Sequence, residues 1–309
     1  MTEAKGSSEP GDATAPGAGA AAGVDGASGD AGASGASGAR RAPSGPGPAV
    51  TYASAAATGE AIGVITLRRP DNRNSMTAEL LTAFAQASAA ARADRDARCI
   101  VITGTGACFS AGADFRAMVQ QPGAGPLPHQ RSYAMYEPFL SVLDLEVPVI
   151  GALNGHAVGG GFGLALLCDL RIAALEARYG ANFTRLGLHP GMAITYLLPR
   201  LVGASAAAEL LYTGRLIDGA EALRLGLLSR AVPAAEVLPV AMQLARQIAA
   251  NAPLAVRLTK RTLRRSLEWD PRDAALYEAL VQAETLATED AAHGIDSLLR
   301  KELPVFTGK

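Results

Sequence analysis

The chain has almost no net charge, few cysteines and no long apolar run, and each shortage removes a class of function. Twenty-eight Lys and Arg against 29 Asp and Glu leave a formal charge of −1. No strong field therefore draws the protein to nucleic acid or to an anionic membrane. The three cysteines, Cys99, Cys108 and Cys168, lie in hydrophobic runs without paired ligand spacing. They read as reduced core thiols of a cytoplasmic protein. None of the four histidines, His129, His156, His189 and His293, stands near a second ligand at metal spacing, so no metal is expected. No stretch is long and apolar enough to span a bilayer.

Nucleotide and nucleophile motifs are missing too. There is no G-x-x-x-x-G-K-[ST] to cradle a phosphate. "GGGFG" fails G-x-G-x-x-G, because Leu164 stands where the third glycine is required. Ser110 follows Cys108 by two residues rather than a glycine, so the G-x-S-x-G elbow fails as well.

What remains is a chain of 309 residues, 49% hydrophobic, long enough to bury a sizeable core. Within residues 1–48, "GDATAPGAGAAAGVDGASGDAGASGASGAR" is almost wholly Gly, Ala, Ser, Asp and Pro. Such a segment has little to offset its ordering entropy and is expected to be a disordered tail. From there "AIGVITLRRP", "RCIVITG", "PVIGALNG" and "LRIAAL" read as strands. "TAELLTAFAQASAAARAD" has helical spacing, with Leu80, Leu81, Phe84 and Ala87 on one face and Thr77 as N-cap. Further helices are expected over about 130–145 and 160–167. Strand and helix thus alternate to about residue 190, which argues an α/β core over 49–200. After it, residues 201–309 read as an all-helical C-terminal region.

Two glycine-rich stretches follow strands and open into expected helices, "CFSAGADF" at 108–115 and "AVGGGFG" at 157–163. A helix N-terminus after small residues offers free backbone N–H groups and the positive end of a dipole. Two such ends brought together would clamp one oxygen, as in an oxyanion hole. The plainer reading is that the glycines only permit tight turns and close packing.

With these stretches the chain resembles the crotonase superfamily, the enoyl-CoA hydratase/isomerase family. "LRRPDNRNSMTAEL", "VITGTGACFSAGADF", "PVIGALNGHAVGGGFGLALLCDLRIA", "LGLHPGMAITYLLPRLVG" and "TEDAAHGIDSLLRKELPVF" carry the resemblance over about residues 60–309. It implies an α/β fold of ββα units wound into a spiral, with a C-terminal helical trimerisation region and a homotrimer or hexamer. It implies an acyl-CoA substrate, with coenzyme A as part of the thioester and no permanently bound cofactor, in fatty acid metabolism. The oxyanion donors it implies are the backbone N–H groups of Ala113 and Gly160. Asn72, Arg73, Ser75, Ala111, Asp114, Phe115 and Phe306 fall where the family contacts CoA.

The pattern breaks at two places. Hydratases of this family use two glutamates, and their positions here hold Gly163 and Phe183. Neither side chain transfers a proton, so standard hydration is not expected. Glu137, in "YAMYEPFL", and His189, in "GLHPG", are the substitute acid/base candidates. For Glu137 the competing reading is a solvated surface carboxylate, and for His189 a loop imidazole bonded to backbone. His156, Asp114 and Asp169 read as packing, turn or cap residues. Two functions follow as expectations. One is an acyl-CoA-transforming lyase or isomerase that stabilises a thioester enolate. The other is a catalytically silent acyl-CoA-binding paralogue kept for assembly.

Overall fold

Runs of apolar residues without helical spacing become strands because both of their faces are covered. The computed structural model describes residues 47–114 and 127–309, so residues 1–46 of the expected tail lie outside it. Its larger sheet begins with β1 (Val50–Ala53), the short helix α1 (Ala55–Thr58) and β2 (Ile62–Leu67). Helix α2 (Ala78–Ala93) follows, capped as expected by the Thr77 side chain, which accepts from Leu80 N–H. Then come β3 (Cys99–Gly104), β4 (Cys108–Ser110), helix α3 (Pro128–Leu140), β5 (Val149–Leu153) and β6 (His156–Val158). Helix α4 (Gly160–Leu167), β7 (Leu170–Ala174) and β8 (Tyr179–Gly180) complete the winding part.

The strands sort into two sheets. The order β1-β2-β3-β5-β7-β9 forms one, with β9 at Arg230–Val232, and β4-β6-β8 forms the other. Among the pairings of these strands β1–β2 is antiparallel and the others are parallel. From β3 to β8 each strand of the larger sheet is followed within a few residues by one of the smaller sheet. This is the expected spiral. Every residue of β5 is buried, and so are all but one in β3 and in β7. Parallel strands covered on both faces need such unbroken apolar runs.

The last third is not wholly helical. Helices α5 (Ile194–Val202), α6 (Ala204–Thr213) and α7 (Gly219–Arg224) lead into β9, which pairs with Ile172–Ala174 of β7. A three-residue edge strand with an exposed first residue has no periodicity to read, which is why the sequence hides it. Helix α8 (Val237–Ala249) packs on β3, β5 and β7 through Val237, Ala241 and Ala245. Helices α9 (Pro253–Ser266), α10 (Pro271–Leu286) and α11 (Glu289–Arg300) follow. Among the described residues no helix is long and apolar enough to cross a membrane.

Candidate functional site

The site is assembled by a buried asparagine. Pro70 opens a short turn, and Arg73 and Asn74 both take the left-handed conformation, at φ 59° and 51°. Asn74 is fully buried. Its Oδ1 accepts from Arg69 N–H at 2.7 Å, and its Nδ2 donates to the Thr105 and Cys108 carbonyls at 3.1 and 2.8 Å. Its own carbonyl accepts from the Ser110 hydroxyl at 2.8 Å. Alongside, Ala111 N–H donates to Arg73 O at 3.0 Å and Met76 N–H to Gly112 O at 2.8 Å. The stretch holding Asn72, Arg73 and Ser75 is thereby laid against the one holding Ala111, Ala113 and Asp114. Phe115 lies outside the described residues.

The second glycine stretch meets the first edge on. Gly112 has φ +82°, and a Cβ there would lie 2.7 Å from Val158 O and 2.8 Å from Gly160 N. Only a residue without a side chain lets the two backbones approach so closely. Gly160 begins α4, whose eight residues are all buried. The amide N–H groups of Ala113 and Gly160 have no acceptor among the described residues. These two amides stand on neighbouring segments.

Two thioethers wall the first turn of α4. A Cβ on Gly160 would run into the Met76 sulfur and lie 3.3 Å from its Cε. One on Gly163 would run into Met192 Cβ and lie 3.1 Å from its Cγ. Both methionines are buried, and Met192 and Ala193 are left-handed at φ 58° and 54°. Beside Gly159 stand Asn182 Oδ1 and the Phe183 ring, 3.7 and 3.9 Å from where its Cβ would be. The Tyr136 ring of α3 packs on Gly191, with Cζ 2.6 Å from the corresponding position. Met76, Asn74, Tyr136 and Met192 were not singled out from the sequence. The doubled asparagine of "DNRNSM" was the one available signal.

Neither acid/base candidate is buried. Glu137 is exposed on α3. His189 is exposed, with Nδ1 2.7 Å from Pro190 O. His156 accepts from Arg178 N–H through Nδ1 at 2.9 Å. Phe306 is half-buried against Gly294, and its carbonyl accepts from Arg98 at 2.8 Å. Among the described residues no three His, Cys, Asp or Glu side chains cluster as a metal site.

Charge gathers at the other end of α4. Asp169 accepts from Val149 N–H at 2.8 Å and pairs with Lys260 at 2.8 Å and Arg264 at 2.9 Å. Desolvation lowers the Lys260 pKa from its ordinary value, and the neighbouring Asp169 works against that. Arg171 is buried, and desolvation lowers its pKa as well. Its guanidinium is bonded to backbone carbonyls. Burial pushes the Cys99 and Cys168 thiols up to about 12.

This arrangement of segments is shared with known proteins. The family model described as enoyl-CoA hydratase/isomerase matches residues 57–309. The Bacillus subtilis (strain 168) protein YngF, which carries the same family description, is 36% identical over 251 residues, 81% of this chain and 95% of that one. The crystal structure of an enoyl-CoA hydratase from Bacillus anthracis superposes with a TM-score of 0.78 at 32% identity, covering 84% of this chain and 100% of that one. An enoyl-CoA hydratase from Polaromonas sp. JS666 gives 0.77 at 28%, with 84% and 99% covered.

Proposed function

The chain belongs to the enoyl-CoA hydratase/isomerase family and is an acyl-CoA-transforming enzyme, and from that premise we propose that it grips the thioester oxygen between the amides of Ala113 and Gly160. The observation that carries this reading is the pair of N–H groups, without an acceptor among the described residues, on two segments that touch at Gly112. A thioester carbonyl gathers negative charge as its enolate forms. Preorganised donors then contribute about 2.7–4 kcal/mol each in the transition state. Asn72, Arg73, Ser75, Ala111, Asp114, Phe115 and Phe306 are the proposed CoA contacts.

The chemistry beside that oxygen departs from two-carboxylate hydration. Gly163 and Phe183 carry no transferable proton, and the side chains against the first turn of α4 are two thioethers, a phenyl ring, an amide and Ser110, whose hydroxyl already donates to Asn74 O. We assign the protein a lyase or isomerase reaction that passes through the enolate, with Glu137 and His189 as the first acid/base candidates. The protein acts in the cytoplasm as a homotrimer or hexamer. Exposed leucines on α9–α11, among them Leu263, Leu267, Leu276, Leu280 and Leu298, fit burial between copies.

Thermal denaturation with acetoacetyl-CoA tests the binding half. The midpoint should rise with ligand concentration above the dissociation constant. No shift at millimolar ligand would sink the acyl-CoA reading. Turnover over a panel of CoA thioesters tests the catalytic half. Binding without any turnover would leave a silent acyl-CoA-binding paralogue.

A further inference from the structure

Helix α4 carries one of the two proposed donors at its first residue, and its far end is held by a buried cation. Arg171 projects from β7 and is 5% exposed. Its Nε donates to Leu227 O at 2.7 Å, and its Nη1 donates to Cys168 O at 2.5 Å and to Ala165 O at 3.5 Å. Ala165 and Cys168 supply carbonyls at the C-terminal end of α4, where the last turn leaves its acceptors without intrahelical partners. No carboxylate lies within ion-pair distance of Arg171 among the described residues.

An unpaired buried charge is costly, and a protein that keeps one must offset it. Here the negative end of the helix dipole does so. All eight residues of α4 are buried, so little water screens the field between its two ends. At a rise of about 1.5 Å per residue those ends are roughly 12 Å apart. Asp169, just beyond the helix, adds a negative charge, but Lys260 and Arg264 both pair with it. With Arg171, Lys260 and Arg264 against the one carboxylate of Asp169, the side-chain charge described at the C-terminal end of α4 is net positive.

We propose that Arg171 is a positioning residue for the reaction. It clamps the last turn of α4 to β7 and to the Leu227 carbonyl, and so fixes where the Gly160 N–H points. It also cancels the negative pole of the helix, and so raises the positive potential at that N–H. The inference rests on the amide pair proposed above.

The test uses the full-length protein and the CoA thioester of 4-dimethylaminocinnamic acid, whose absorption moves to longer wavelength as its carbonyl is polarised. At saturation the wild type shows a red shift. Arg171→Met keeps the side chain's length without its charge. It should lose at least half of that shift while the dissociation constant changes only a few-fold, because most CoA contacts lie elsewhere. Turnover of whichever thioester the wild type transforms should fall about 2- to 30-fold, the range spanned by an interaction with a helix end. Arg171→Lys keeps the charge but reaches fewer carbonyls, and its red shift should fall between the other two. A lost melting temperature with the full red shift retained would make Arg171 merely structural and overturn the proposal. Where Arg171→Met does not fold, Arg171→Lys decides, and an unchanged red shift there overturns it equally. Saturable binding to the wild type without any red shift overturns the amide pair itself, and this inference with it.

Discussion

Met192 occupies the space that a side chain at position 163 would need. A Cβ on Gly163 would meet Met192 Cβ and approach its Cγ to 3.1 Å. Gly163 is therefore a packing position, closed by a residue 29 places later in the chain, rather than a vacant seat for a carboxylate. Met192 reaches it from a left-handed backbone at φ 58°, a conformation that costs a residue with a Cβ about 1–2 kcal/mol.

Gly163→Glu alone should then destabilise the protein and confer no hydration. Overpacking a filled site costs about 1–3 kcal/mol, and burying a carboxylate adds to it. Adding Met192→Gly removes the obstructing side chain and the left-handed strain together. The double variant should melt higher than Gly163→Glu. Thermal melts of the four proteins of this cycle check it, and simple additivity would show that the two residues do not touch.

Crotonyl-CoA hydration by the wild type should be several orders of magnitude below that of an efficient hydratase. Each positioned acid or base contributes about 10²–10⁴-fold, and neither usual position holds one. Steady-state kcat under saturation is the measurement. A value on the order of 10 s⁻¹ or more would show that another group moves the proton. Glu137→Gln and His189→Ala would then identify it.

Asp169→Asn should destabilise by about 3–5 kcal/mol, the usual consequence of removing one partner of a buried ion pair. Lys260 would lose its anionic partner and keep only neutral acceptors, the Val147 carbonyl and the new amide oxygen. Urea denaturation measures the loss. Arg264→Gln should cost much less, because its side chain is 31% exposed against 7% for Lys260.

The alkaline limb of stability should carry the signature of two thiols. Cys99 and Cys168 are pushed from 9.0 up to about 12 by desolvation. Above pH 9 the unfolded chain loses protons that the folded chain keeps, so rising pH favours unfolding. The stability they contribute is whole below pH 9 and drains away toward pH 12. Cys168→Ala should reduce the slope of unfolding free energy against pH in that window by about 1.4 kcal/mol per unit. An unaltered slope would count against the burial of this thiol.

Local signals and distant ones were not equally readable in the sequence. Central strands such as β3 and β5 announce themselves, since burial on both faces demands a continuous apolar run. Thr77 announces the start of α2 through one side chain and the amide three residues on. The glycine stretches announce two close backbone approaches. What no local pattern states is which residue fills a gap from far away. Met192 over Gly163 is one case, and Lys260 on Asp169, 91 residues downstream, is another. A glycine beneath a methionine and a glycine in place of an acid are spelled alike. Arg171 sits in "CDLRIA" as a charge in an apolar strand, and its partners are carbonyls, which leave no trace in the sequence.

The strand order has a consequence for how the molecule comes into being. In both sheets the spatial order is the chain order, with no strand inserted between two earlier ones. A chain leaving the ribosome at about 5–20 residues per second can add each new strand to an edge already laid down. No completed pair has to reopen. Each halfway product also exposes one raw parallel edge until the next turn arrives, and unpaired edges invite association with other chains. Pausing during synthesis would therefore be most hazardous between β5 and β7, where the waiting edge is wholly apolar.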